Sequence, residues 1–218
     1  MISRIATRIA QLDVVSGIRS KDSKHPFDLD VFKSLKDLKS IQEYAASRLR
    51  KLGEGESRVV YTLSSRDVLK VAKSSKGIDQ NSLEVSTYWD SIRFMGQMTH
   101  INDSHPDGFW VISELTRPLT TSDVEEGGDY HDRFVAIWAT IQQINKPYWM
   151  GSDFYSGPNS PDLYTGEKAR LRDFVRHMIS KGHPSGEIGK RDSWGRTTNG
   201  RMVALDFGAD QEYFSKYK

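Results

Sequence analysis

Four groups of residues have types and spacings that could do chemistry. Gly53-Glu-Gly55 lies where one extended segment turns into the next. Glycines there let the backbone approach a ligand closely and present N–H groups to phosphate oxygens; two glycines in a hairpin are equally ordinary turn chemistry. The third glycine of a GxGxxG pattern is missing, with Arg58 at its position. Strands and not a helix follow, so the dinucleotide fingerprint fits poorly. Lys70 stands in Val68-Leu-Lys70-Val-Ala72, where a period of two puts Val68, Lys70 and Ala72 on one face and Lys73 on the other. A lysine among small apolar neighbours can pair with phosphates; the alternative is a strand lysine in solvent. Glu84 sits in the next helical segment. Turned inward, its carboxylate needs a cation, and Lys70 is the natural one; turned outward, it is a solvated glutamate. Asp206-Phe-Gly208 follows the apolar run Met202-Val-Ala-Leu205. Its carboxylate leaves a strand end, a suitable place for an Mg²⁺ ligand beside phosphate oxygens.

The elements that must position these groups are legible by period. Ile2, Ile5, Ile9 and Leu12 predict a short amphipathic helix, and 16–26 a linker. Leu29, Phe32, Leu35, Leu38, Ile41 and Tyr44 give a second helical stripe to about Leu49, whose roles are core packing or binding a partner. From Leu52 to Ser74 two antiparallel strands are predicted, with a turn at Ser64–Asp67. Leu83, Thr87, Trp89, Ile92 and Met95 suit a helix from Asn81 to about Met98, and Phe109–Ser113 a strand after the turn-rich 103–108. Helices are expected at 130–144 and about 165–180, a loop at 145–164, and a late hairpin around Thr198-Asn-Gly200. Trp138 falls in an apolar run and reads as core, as do Tyr148 and Trp149 beside a proline loop, rather than as a base-stacking platform. This order implies an α+β, two-lobed arrangement rather than a doubly wound sheet.

Composition bounds the function. The chain has 218 residues, 37% hydrophobic and 28% charged, which is globular. No run approaches the ~18 apolar residues of a membrane span, so no membrane is expected, and Arg4 and Arg8 break up the N-terminus as a secretory signal. No cysteine is present, which excludes disulfides, thiolate nucleophiles and zinc–thiolate sites and fits a reducing cytoplasm. A net charge of +2 gives no argument for nucleic acid. The basic excess lies in 1–50, with ten Lys or Arg against six acids; it reads as a solvated surface or as a docking face for an acidic protein partner.

Taken together, these motifs resemble the protein-kinase-like superfamily, including its compact and phage-encoded members. LGEGESRVVY resembles the glycine-rich loop (Gly53, Gly55), with Val60 where the family's base-covering valine stands. VLK ending at Lys70 resembles the phosphate-binding lysine strand, Glu84 its helix partner, and Val111-Ile-Ser-Glu114-Leu115 the hinge that binds adenine through its backbone. Asp206-Phe207-Gly208 resembles the metal-binding triplet. The resemblance spans 52–210 and implies ATP and Mg²⁺ as ligands and a minimal two-lobed kinase-like fold: a helical extension at 1–50, a β-rich N-lobe at 51–116 and a reduced C-lobe at 117–218. Host cytoplasm, or a virion if phage-encoded, is the implied location.

The departures are in the catalytic loop. The family's Asp base is followed five residues later by Asn, about thirteen residues before the metal Asp, where this chain has Ser193. Asp192 is adjacent and could bind a metal; five before it stands Glu187, the closest substitute for the base, with His183 four residues earlier. Only ten residues follow Gly208, with no activation segment, so a conventional kinase acting on peptides is not expected. Two readings follow: a pseudokinase or interaction protein that binds ATP–Mg²⁺ without transfer, and an ATP-dependent phosphotransferase acting on a small molecule or protein hydroxyl.

Overall fold

The computed structural model describes residues 26–145, 166–205 and 207–217. The stripe at 1–12, nearly all of the 16–26 linker and the 145–164 loop, Tyr148, Trp149 and Asp206 lie outside the described residues. The alternation around Lys70 becomes strand β3 (Asp67–Ala72), buried from Val68 to Ala72. It pairs antiparallel with β2 (Arg58–Thr62) and β5 (Trp110–Glu114). With β1 (Lys51–Glu54) and β4 (Ile101–Ser104) at the edges, the sheet order is β1-β2-β3-β5-β4. Val60, Lys70 and Val111 align across the three central strands, as do Tyr61, Leu69 and Ile112, and the pleat sends these two rows to opposite faces.

The row of Tyr61, Leu69 and Ile112 forms a core with Phe32, Ile41 and Ala45. Those three come from α1 (Leu29–Ser34) and α2 (Leu38–Arg48), so the second sequence stripe packs on the outer face of the sheet. It is two helices and not one. The Asp37 carboxylate accepts from the Ser40 N–H at 2.9 Å and caps a fresh N-terminus in mid-stripe, as Asp28 does for α1.

The other face receives α3 (Ser75–Asp90), which continues into a 3-10 segment, Ile92–Gln97. This helix starts six residues before the expected Asn81 and turns a different side inward. Its buried residues are Gly77, Gln80, Asn81, Glu84, Thr87 and Tyr88, whereas Trp89 and Ile92 are 55% and 51% exposed. The stripe of buried positions is helical in period but polar in chemistry, because it faces charged side chains of the sheet; an apolar template misses it. β4, partly read as turn, and β1, which makes three strands where two were expected from Leu52 to Ser74, are further differences.

Below the sheet, β6 (Thr116–Pro118), β7 (Trp194–Thr197) and β8 (Met202–Ala204) form a second antiparallel sheet. β7 and β8 are the late hairpin, turned at Gly200 with φ +82°, a region that favours glycine. Around it lie α4 (Thr121–Val124), α5 (His131–Asn145), α6 (Gly166–Ser180), α7 (Ser185–Ile188) and α8 (Gln211–Lys216). Tyr88, Met98, Ile137, Phe174, Trp194 and Phe207 share one core there. Trp138, expected in it, is 46% exposed; the neighbouring Ala136 and Ile137 take the inward positions on α5. Across the junction the Thr99 N–H and hydroxyl both donate to the Ala204 carbonyl, at 3.0 and 2.8 Å. A five-stranded antiparallel sheet with a helix after its third strand, set on a helical lower lobe, is the reduced kinase-like α+β arrangement the resemblance implied. Among the described residues no helix is long and apolar enough to cross a membrane.

Helix and sheet approach closely at Gly77 of α3. A Cβ there would lie 2.2 Å from the Ser57 carbonyl oxygen and 3.0 Å from the Ala72 Cα. Alanine is ordinarily favoured over glycine in a helix by about 1 kcal/mol, so the sign of Gly77→Ala is diagnostic. We expect a net loss of about 1–3 kcal/mol, the usual cost of overpacking, in urea unfolding; a neutral or stabilising result would contradict this packing.

Candidate functional site

The chemistry converges on Glu84, which is fully buried. The Lys70 ammonium donates to Oε1 and the Arg58 guanidinium to Oε2. Arg58 Nη1 also donates to Asn81 Oδ1 at 3.2 Å, and Asn81 Nδ2 to the Gly108 carbonyl at 2.8 Å. The register explains why both cations arrive: Arg58 opposes Ala72 and Val60 opposes Lys70, so the two side chains leave the same face of the sheet. The Arg58 and Lys70 side chains are only 8% and 10% exposed. A lone carboxylate at this depth would be costly, and paired hydrogen-bonded cations offset that cost. Lys70 Nζ also lies 3.5 Å from the carbonyl of Leu205, the residue before Asp206 in the chain.

The glycine hairpin is held onto this cluster. Gly55 N–H donates to the Arg58 carbonyl at 2.9 Å and closes the β1–β2 turn; Gly53 lies in β1 at a register shift. Lys73 donates to Glu54 at 2.5 Å and to the Gly55 carbonyl at 3.2 Å, while Lys76 reaches Glu56 at 2.7 Å. Ser57 Oγ donates to Gln80 on α3. Hydrogen bonds from Lys51 and then Lys73 hold the Glu54 carboxyl down to about 2, against an ordinary 4.5.

Toward the hinge, Thr62, Val68 and Ser113 continue the face of Lys70, with Val60 half-buried above it. The hydroxyls of Thr62 and Ser113 are buried and have no hydrogen-bond partner among the described residues, which is unusual for interior polar atoms. The hinge amides are committed within the fold: Glu114 N–H donates to the His100 carbonyl at 2.8 Å, and Leu115 N–H to the Arg66 carbonyl at 2.6 Å. Both N–H groups are thus engaged within the fold by carbonyls just outside the strands. The Glu114 side chain accepts from Arg201 at 2.9 Å.

In the lower lobe, Glu187 lines a small cavity with Met178, His183 and Phe207, and its carboxylate accepts from Lys190 at 2.5 Å. Asp192 Oδ1 takes Arg191 Nε at 3.0 Å and Nη2 at 2.8 Å. The Ser193 carbonyl accepts from Leu205 N–H at 2.9 Å, which sets this turn beside the strand that leads to Asp206. Phe207 is in the core, and a Cβ on Gly208 would lie 2.5 Å from the Gln80 carbonyl, so the triplet's glycine packs on α3. His183 Nδ1 lies 3.3 Å from the Ala209 carbonyl. Asp206 lies outside the described residues. One oxygen of Asp192, Oδ1, is therefore engaged by the Arg191 guanidinium. Among the described residues no three His, Asp or Glu side chains converge on a metal position.

Lys70 and Glu84 are thus brought together beneath Gly53, Gly55 and Val60, while Glu187 and Asp192 sit in the lower lobe. Sequence reasoning missed Arg58, Asn81 and Gln80 as members of the cluster and treated Lys73 as secondary. Signals for the first three existed. Arg58 shares strand parity with Val60, and Gln80 and Asn81 precede Glu84 by one helical turn.

No known family model matches the sequence, and no curated protein matches it. Among solved structures the chain is similar to the GDP and kanamycin complex of APH(2")-IIia, at 12% identity and a TM-score of 0.42, over 80% of this chain and 73% of that one. It is also similar to the GDP complex of wild-type aminoglycoside 2'-phosphotransferase-IIIa, at 14% identity and a TM-score of 0.37, over 73% of this chain and 66% of that one. Likenesses this distant say nothing about ligand or substrate.

The hairpin clamp makes a pH prediction. Because the folded carboxyl of Glu54 titrates below its ordinary value, its contribution is complete above about 4.5 and is lost as pH falls toward 2. The side chain is 37% exposed, so the contribution is at most about 1 kcal/mol. In urea unfolding Glu54→Gln should be slightly less stable than the parent at pH 7, with the gap closing as pH falls below 4.5. A gap that widens in acid would contradict the assignment.

Proposed function

We propose that the protein is a kinase-like nucleotide-binding protein that takes a purine nucleoside triphosphate between the five-stranded sheet and the lower lobe and does not transfer its phosphate. The observation that carries this reading is the buried cluster in which Glu84 holds Lys70 and Arg58 beneath the glycine hairpin. Cations fixed by a buried carboxylate are pre-positioned for a polyphosphate. The hydroxyls of Thr62 and Ser113, buried on the same face without partners among the described residues, support a ligand with polar edges, such as a base, toward the hinge. The absence of transfer is supported by the lower lobe: the two candidate proton acceptors, Glu187 and Asp192, are paired with Lys190 and Arg191.

A thermal-shift titration with ATP, run beside a γ-labelled phosphate-release assay, tests the reading. At ~100 Kd a ligand specific for the folded state adds about 2.7 kcal/mol, several degrees in Tm for a chain of this size. We expect that shift in the parent, its loss in Lys70→Ala, and no release or transfer of label. No shift at millimolar ATP would remove the nucleotide reading. Label transfer abolished by Glu187→Gln would establish the phosphotransferase alternative, with Glu187 as base.

A further inference from the structure

Little apolar packing holds the part of α3 that carries Glu84. No α3 side chain before Val85 belongs to either described apolar core. The first half of the helix turns Gly77, Gln80, Asn81 and Glu84 inward, so polar contacts must fix where it sits. Toward the sheet these are the ion cluster and the hydrogen bond from Ser57 to Gln80. A second set comes from α8.

α8 begins three residues after Gly208 of the Asp206-Phe207-Gly208 triplet and is anchored in the lower lobe. Gln211 N–H donates to the Gly182 carbonyl at 3.1 Å, and the Asp210 carboxylate caps the helix through Tyr213 N–H at 2.8 Å. From there it reaches α3. The Tyr213 hydroxyl donates to the Lys76 carbonyl at 3.4 Å. Asp79 Oδ2 accepts from both the Lys216 ammonium and the Tyr217 hydroxyl, and these two bonds, Lys216's first, hold its carboxyl below the ordinary range. The Lys76 ammonium stands 5.6 Å from the centroid of the Tyr217 ring and donates to Glu56 of the glycine hairpin at 2.7 Å. Hairpin, α3 and α8 are thus linked through one turn of α3, Lys76 to Asp79.

We infer that Asp79, Lys216 and Tyr217 are positioning residues of the nucleotide site: through them α8 holds α3 seated so that Glu84 meets Lys70 and Arg58. This rests on the nucleotide-binding reading of that site. Asp79 precedes Glu84 by five residues, about 7.5 Å along the helix, and a helix moves as a unit over that distance. A shift at the clasp is therefore felt at Glu84, where buried cations occupy both carboxylate oxygens. The apparent affinity for a nucleoside triphosphate falls in proportion to the fraction of molecules in which α3 is seated. The three residues act through Glu84 and not on the ligand.

Charge exchange in the full chain tests the inference. The parent, Asp79→Lys, Lys216→Asp and the variant carrying both exchanges are titrated calorimetrically with ATP in excess Mg²⁺, and melting curves without ligand report on folding. The Lys216 and Asp79 side chains are 61% and 38% exposed, so the surface accommodates each substitution. Each single exchange should weaken ATP binding about fivefold, the scale of one exposed ion pair. The double variant restores the pair with its charges reversed, and the Tyr217 hydroxyl can accept as well as donate. It should recover to within about twofold of the parent. Tyr217→Phe keeps the ring, guards against a folding defect in the exchanges, and should weaken binding in the same direction. Amide exchange across Ser75–Asp90 should quicken in the single variants and slow again in the double. Lower melting temperatures with parental Kd values would make α8 a stabilising clasp alone and overturn the inference, leaving the nucleotide reading in place. Losses that add in the double variant would overturn it in the same way. No binding by the parent would remove both.

Discussion

The structure depends on one buried carboxylate. Glu84 is wholly removed from solvent and holds two cations from adjacent strands. An ion at that depth is tolerable only when geometry and hydrogen bonds compensate its lost hydration, and the surrounding chain is arranged to supply them. Asn81 braces Arg58 and is itself tied to the Gly108 carbonyl. Helix, glycine hairpin and central strand thus meet at a single side chain, and the Lys70 it holds reaches the Leu205 carbonyl just after β8 at 3.5 Å.

That constraint accounts for features that otherwise look unrelated. α3 buries Gln80, Asn81, Glu84 and Thr87 in place of an apolar stripe, because its inner face must answer charges and not methyl groups. Gly77 and Gly208 are both places where a side chain would collide with the packing around this helix, one against the hairpin and one from the Asp206-Phe207-Gly208 triplet. The hydrophobic work is done elsewhere: α1 and α2 seal the outer face of the sheet, and the aromatic core beneath α3 joins it to the lower lobe.

Much of this was legible in the residues. The β2–β3 alternation, the late hairpin and the pairing of Lys70 with Glu84 follow from period and from the cost of an unpaired inner charge. Three things were not. The start of α3 and its inward face escaped because hydrophobic period is the main helix signal, and this helix buries polar groups. Arg58 read as a defect in a glycine pattern, since only tertiary structure shows that its side chain ends on Glu84. The hinge amides of Glu114 and Leu115 read as ligand donors, yet carbonyls of His100 and Arg66 had claimed them, which local sequence does not encode.

The central claim, that Glu84 is the keystone of a buried ion cluster with Lys70 and Arg58, is tested most directly by comparing unfolding free energies of Glu84→Leu with those of Glu84→Leu/Lys70→Met/Arg58→Met. Removing the carboxylate alone takes the shared anion away from two buried cations and should cost about 3–5 kcal/mol, while replacing all three residues with apolar groups avoids that penalty. The account predicts that the triple variant is the more stable of the two. Costs that simply add across the three positions, within about 0.5 kcal/mol, would contradict it.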